Sequence, residues 1–154
     1  MRMTDLIAAD AILPALKVSS KKQALLELSE AAGRVSGLPA RAIFDTILQR
    51  ERLGSTGAGN GVAIPHGKLA DASRIFGIFA RLEKPIDYDS PDGAPVDLIF
   101  LLIAPETAGA DHLKALSRIA RSLRDPTLTA KLRATRDADG LYALMTQDAT
   151  PYAA

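Results

Sequence analysis

The chain contains no cysteine and no tryptophan among its 154 residues, and only 5% of them are aromatic. Without thiols there are no disulfides, no cysteine nucleophiles and no thiolate metal sites. A charge bias is also missing, because 19 Lys and Arg face 18 Asp and Glu for a formal net charge of +1. Such balance gives no support for nucleic acid or an anionic membrane as a partner, and neither is expected. No long hydrophobic run occurs: the longest, "LIFLLIA" from Leu98 to Ala104, is far below the ~20 residues that a membrane-spanning helix requires. The N-terminal stretch "MRMTDLIAADAILPALKV" carries Asp5 and Asp10 and lacks the apolar core of a secretory signal. Histidine is scarce, with 2 in the chain, and no His-x-x-x-His spacing is formed. No metal and no cofactor are therefore expected. The length suits one domain, residues 1–154, with 47% apolar residues to build its core. The expectation is a soluble, cytoplasmic protein.

Glycine is abundant in one place. In "GSTGAGNGVAIPHGK", Gly54 to Lys68, the glycines Gly54, Gly57, Gly59 and Gly61 and the hydroxyl residues Ser55 and Thr56 precede Val62-Ala63-Ile64-Pro65-His66. That glycine density predicts a loop over 54–61. "VAIPH" predicts a short strand ended by Pro65. The run is not a dinucleotide loop, since its spacing is G-x-G-x-G and it precedes a strand. Nor is it a P-loop, because Lys68 is followed by Leu69 rather than Ser or Thr. No G-x-S-x-G elbow surrounds Ser55 or Ser90.

His66 then sits at a strand end behind a proline. Imidazole as a group is neutral much of the time near pH 7, and an unprotonated ring nitrogen can attack phosphorus. The other nitrogen needs an acceptor that fixes the tautomer. The anionic product needs donors, which turn N–H groups, the Ser55 and Thr56 hydroxyls, and the planar fork of Arg50 or Arg52 can supply. The plain alternative is a polar strand terminus, glycines that only make turns, and "QRER" as a solvated helix face. His112 opens a later helix, where first-turn N–H groups attract anions. Equally, it can be a terminal histidine packed beside Leu116.

Elsewhere the periodicity predicts alternating helices and strands. "AILPALKV" reads as a short strand or extended lead-in interrupted by Pro14. A helix follows, capped by Ser19 or Ser20 and stopped at Gly37, with Leu25, Leu28, Ala32 and Val35 on one face. Pro39 opens a second helix with Ile43, Ile47 and Leu48 on one face. "RIFGIFARL" and "VDLIFLLIAP" read as buried strands separated by the turn-rich "EKPIDYDSPDGAP". "ADHLKALSRIARSLRD" places Leu113, Leu116, Ile119, Ala120 and Leu123 on an expected buried stripe, and two short helices end the chain. The pattern is an α/β layered fold, and the Asp92-Gly93 turn can serve an antiparallel connection.

Three stretches carry a resemblance: "RERLGSTGAGNGVAIPHGKL", "LIFLLIAPE" and "DHLKALSRIARSL". The chain resembles the fructose/mannitol-type enzyme IIA domains of the bacterial phosphotransferase system, and within them the nitrogen-related branch, enzyme IIA-Ntr. The resemblance runs over about residues 4–148. It implies a single-domain α/β sandwich around a mixed five-stranded sheet. It also implies that His66 is phosphorylated by a small HPr-like phosphocarrier, called NPr in this branch, which an enzyme I homologue charges from phosphoenolpyruvate. His112 and Arg50 match residues flanking the phosphorylated histidine, Ser55 and Thr56 stand in the loop, and Gly67 follows the histidine. Ala58 departs from the isoleucine common in "STGIG", which leaves a smaller loop surface for a donor. The implied role is a phosphoryl carrier, mainly regulatory, acting on partners such as transporters or sensor kinases. The alternative is a stand-alone sugar-uptake IIA that passes the phosphoryl group to a IIB domain.

Overall fold

The computed structural model describes residues 1–147. Its strands are β1 Ile12–Leu16, β2 Gly57–Gly59, β3 Val62–Ala63, β4 His66–Leu69, β5 Phe76–Ile86 and β6 Val96–Pro105. Its helices are α1 Lys21–Ser36, α2 Ala40–Arg52, α3 Ala110–Leu123, α4 Pro126–Ala134 and α5 Ala138–Thr146. Among the described residues no helix is long and apolar enough to cross a membrane.

β6 is the centre of the sheet. Leu98 to Ala104 are all at or below 1% exposure, which accounts for a run with no polar face. Each fully buried Leu, Ile or Phe contributes about 1.5–3 kcal/mol before its ordering entropy is subtracted. β5 lies antiparallel on one side of β6, and the 87–95 connection turns at Gly93, whose φ is +75°. β3 and β4 lie parallel on the other side. They occupy a single lane: Val62 and Ala63 pair Leu98 and Ile99, and His66 to Leu69 pair Leu102 to Pro105. The order across the sheet is β1-β5-β6-β3-β2 with β4 also on β6. Six strands thus fill five positions of a mixed sheet in one α/β domain, flanked by helices.

Three expectations change. Pro65 interrupts the strand but does not end it. It lacks an N–H, yet its carbonyl accepts from Leu102 N–H at 2.9 Å, and pairing resumes at His66. The glycine run is not all loop, because Gly57–Gly59 pairs antiparallel with β3. Gly57 is needed there, since an added Cβ would lie 2.8 Å from Ser90 Cβ. β5 continues through Glu83 and Pro85 to Ile86, with a register shift between Arg81 and Ile86 absorbing the turn-like residues. Pro14 sits within β1, an edge strand that pairs only β5, where a missing donor is tolerated.

The helices follow their caps. Ser20 Oγ accepts from Gln23 N–H at 3.1 Å, Gly37 ends α1 at φ +78°, and Asp125 and Asp137 cap α4 and α5. α1 packs on α2 and β5, α2 on β4, α3 on β6 and α4, and α5 on β1. α3 is rotated from the expected phase. His112, Ala115, Ile119 and Leu123 are buried, while Leu113 is 66% exposed. Residues 112, 115, 119 and 123 follow the three-and-four spacing of one helix face, and Leu113 lies about 100° off it.

Candidate functional site

His66 opens β4, half-buried, and pairs with Leu102 on the central strand. Its Nδ1 lies 2.8 Å from the carbonyl oxygen of Ile64. A carbonyl only accepts, so Nδ1 carries the proton and donates it. In the neutral tautomer this selects, Nε2 carries the lone pair in the plane of the ring. The backbone two residues upstream therefore selects the tautomer. The same short span, Ile64-Pro65-His66, breaks the lane and aims the ring.

His112 enters from the first turn of α3. The two rings lie 5.6 Å apart by their centroids, tilted by 52°. His112 is 8% exposed, and its Nδ1 is buried without a hydrogen-bond partner. Burial first, then the proximity of His66 and Lys68, pushes its pKa below the ordinary histidine value. The resting ring is thus neutral and holds an unused polar atom beside His66. An orphaned buried nitrogen is costly.

Beneath the glycine strand lies a polar network that the sequence reading missed. Glu51, on the last turn of α2, is 7% exposed. Its Oε1 accepts from Lys21 Nζ at 2.9 Å and from Thr56 N–H at 3.1 Å, and its Oε2 accepts from the Thr56 hydroxyl. Thr56 Oγ1 also lies 3.1 Å from the hydroxyl of Tyr88, which is fully buried. Lys21 Nζ stands 4.5 Å from the centre of the Tyr88 ring. Burial, and secondarily the Glu51 charge, raises the Tyr88 pKa, so the phenol stays protonated and can donate to Thr56. "QRER" is therefore not simply a solvated face. Ile43, Ile47 and Glu51 recur at i, i+4 and i+8, and the carboxylate continues the buried stripe.

The other candidate residues are disposed unevenly. Ser55 donates its hydroxyl to the Tyr88 carbonyl at 3.1 Å and accepts from Gly57 N–H at 3.1 Å. The hydroxyl protons of Ser55 and Thr56 are thus committed to Tyr88 and Glu51 rather than free beside His66. Arg50 donates to the Gly54 carbonyl at 2.9 Å, tying the turn after α2 back to the helix. Gly67 has a packing reason: a Cβ there would lie 2.7 Å from Thr46 Cγ2 on α2. The histidines alone are brought ring to ring. Among the described residues no group of three or more His, Asp or Glu could hold a metal ion.

A family model described as "Phosphoenolpyruvate-dependent sugar phosphotransferase system, EIIA 2" matches residues 5–148. The chain belongs to the type-2 enzyme IIA family. Within this family it groups with the nitrogen regulatory proteins. It is 62% identical over 145 residues to the "Nitrogen regulatory protein" of Bradyrhizobium diazoefficiens, covering 94% of this chain and 95% of that one. It is 46% identical over 134 residues to the protein of the same name from Escherichia coli, covering 86% and 82%. The crystal structure of Nitrogen Regulatory Protein IIA-Ntr from Neisseria meningitidis superposes with a TM-score of 0.88 at 36% identity, over 94% of this chain and 99% of that one. An enzyme IIA of this type is a phosphoryl-carrier and regulatory component of the phosphotransferase system.

Proposed function

We propose that His66 is the phosphoryl acceptor and that the charge it gains controls which proteins this enzyme IIA binds. The observation that carries the reading is the Nδ1–H bond to Ile64, which leaves Nε2 unprotonated at a half-buried edge of the sheet. In the step, the Nε2 lone pair attacks the phosphorus of a phosphohistidine on an HPr-like carrier of the NPr kind. The N–P bond to Nε2 forms as the donor's N–P bond breaks, and the donor imidazole leaves with the bonding pair. The proton on Nδ1 stays in place. The phosphoryl group brings about −1.5 to −2 charges, by analogy with hydroxyl phosphates. His112, neutral at rest, is positioned to take up a proton and bond the new oxygens. Arg50, tied to the Gly54 carbonyl at rest, acts on the loop that precedes the acceptor strand. Ser55 and Thr56 contribute by holding the strand in place, and Gly67 by letting β4 approach α2.

The nitrogen-regulatory names of the relatives favour a regulator acting on targets such as transporters or sensor kinases over a sugar-uptake IIA that feeds a IIB domain. The test of the acceptor is labelling from a charged HPr-like carrier. His66→Ala is expected to abolish an acid-labile, base-stable adduct, and His112→Ala to retain part of it. Full labelling of His66→Ala, mapped to His112 or a serine, overturns the assignment.

A further inference from the structure

The His66 ring is oriented by one carbonyl, that of Ile64, 2.8 Å from Nδ1. The Ile64–Pro65 peptide carries no N–H, so no bond from its own nitrogen can hold this oxygen in place. Two bonds flank it instead. Leu102 N–H donates to the Pro65 carbonyl at 2.9 Å, and Ile64 N–H donates to the Thr56 carbonyl at 3.0 Å. The first anchor belongs to the central strand, which apolar burial fixes along its length. The second is only as well placed as Thr56.

Thr56 is buried, and its polar groups are all committed. Its N–H donates to Glu51 Oε1 at 3.1 Å, its hydroxyl donates to Glu51 Oε2, and its carbonyl accepts from Ile64. A grip on both the N–H and the hydroxyl of one residue fixes its orientation as well as its position. Lys21 Nζ, 2.9 Å from Oε1, holds the carboxylate itself. A continuous path of hydrogen bonds thus runs from Glu51 through Thr56 and Ile64 to the His66 ring. The N–H and the carbonyl of one residue lie in different peptide groups, so the path transmits position rather than polarisation. Glu51, Thr56 and Ile64 are all buried, so a partner lost from this path leaves its mate unpaired.

We propose that Glu51 is a positioning residue for the phosphoryl acceptor. By gripping Thr56 it sets the Ile64 carbonyl, which keeps the His66 proton on Nδ1 and the lone pair on Nε2. The bond made by one ring nitrogen decides where the proton of a neutral imidazole resides. A displaced carbonyl frees that proton to move to Nε2, and a ring protonated there offers phosphorus no lone pair at that atom. The property that matters in Glu51 is therefore its reach more than its charge. A purely structural carboxylate would lower stability and leave the ring of the folded protein unaltered.

The experiment compares Glu51→Asp with Glu51→Gln in the full chain, at temperatures where unfolding curves show both to be folded. Aspartate keeps the charge but draws the carboxylate back by about 1.5 Å, one C–C bond. Glutamine keeps the length, accepting from Thr56 N–H through its oxygen and donating to the Thr56 hydroxyl oxygen through its nitrogen. Nitrogen NMR of the histidine side chains, above the ordinary histidine pKa, reads the His66 tautomer with no phosphoryl donor present. Wild type is expected to carry the proton on Nδ1, Glu51→Gln to keep most of that population, and Glu51→Asp to show a mixture. Thr56→Val, which removes the hydroxyl bond alone, is expected to shift the tautomer in the same direction as Glu51→Asp. The second readout rests on the proposed function. Labelling of His66 from a charged HPr-like carrier is expected to slow about tenfold in Glu51→Asp, as slight misplacement of a reacting group does. The loss is expected in kcat, with KM for the carrier unchanged, and to be smaller in Glu51→Gln. An unaltered tautomer in folded Glu51→Asp and Thr56→Val overturns the proposal. So does a Glu51→Gln protein more impaired than Glu51→Asp, which would make the charge decisive. A change confined to KM also overturns it, because Glu51 would then act on carrier binding. Absence of any label on wild-type His66 defeats the proposed function alone, since the tautomer measurement uses no phosphoryl group.

Discussion

Val96–Pro105 is held by apolar contact along nearly its whole length, whereas Gly54–Gly61, just before the buried Val62–Pro65, is held by a few polar bonds and by the absence of side chains. In the first segment no individual hydrogen-bonding side chain is decisive, and stability is spread over Leu98 to Ala104. In the second, one carboxylate ties α1, α2 and the glycine strand together through Lys21 and Thr56. Spread-out burial tolerates small changes, because each methylene is one among many. A concentrated polar junction does not, because removing one member leaves the others desolvated and unpaired. The candidate histidine thus follows directly on the segment whose position depends on specific residues.

The strongest way to break this contrast is Glu51→Ala. It is expected to cost about 3–5 kcal/mol, as loss of one partner of a buried charge pair does. Ile99→Val in the sheet centre is expected to cost only about 0.5–1.5 kcal/mol. Urea unfolding of both variants checks the ratio. Equal costs would mean that the two regions are held alike. Gly67→Ala comes next, at about 1–3 kcal/mol from overpacking against Thr46. Because the collision is with an α2 side chain, Thr46→Ala in the same chain is expected to restore much of the loss, read by the same unfolding measurement.

The smallest expected effect is the pH dependence at His112. Its folded pKa lies below the ordinary value, so the unfolded chain binds a proton first as the pH falls. The stability linked to the neutral ring is complete above about pH 6.5, the unfolded value. It is lost as the pH drops through the window beneath, and the loss levels off below the folded pKa. His112→Gln is expected to lose less stability than wild type between about pH 7.5 and 5.5. Identical profiles would remove His112 as a contributor. A phosphoryl group on His66 reverses the sign, favouring the protonated ring, so the phosphorylated fraction at equilibrium should rise as the pH falls.

The sequence was legible where side-chain chemistry and local geometry agree. Ser20 and Gly37 bound α1 because a hydroxyl cap and a left-handed glycine are local devices. β6 was evident because burial on both faces removes polar alternation. The need of one His66 ring nitrogen for an acceptor was readable, but the residue's place was not, because it opens β4 rather than closing a strand that Pro65 ends. β2 was not readable, since its pairing is made by backbone groups that glycine exposes but does not encode. Glu51 was masked by its arginine neighbours, although its spacing from Ile43 and Ile47 pointed inward. The exchange of Leu113 for His112 on the buried face could not be seen from hydrophobicity. The fold buries a polar ring and exposes a leucine there, against the usual preference. Tyr88 lay in a turn-rich stretch, where nothing local signals a fully buried phenol.

The shared lane of β3 and β4 has a consequence for tolerance to change. His66 itself pairs with Leu102 across the sheet, while the glycine segment bears on it through Thr56, whose carbonyl accepts from Ile64 N–H. Within residues 54–61 only exposed positions such as Ala58 can therefore be exchanged while the His66 ring keeps its place, since Thr56 and Gly57 are tied to Glu51 and to β3. For the phosphoryl carrier proposed above, those exposed positions make an interchangeable collar around a fixed contact point. Recognition can diversify in the collar from one lineage to another without the delivered atom moving.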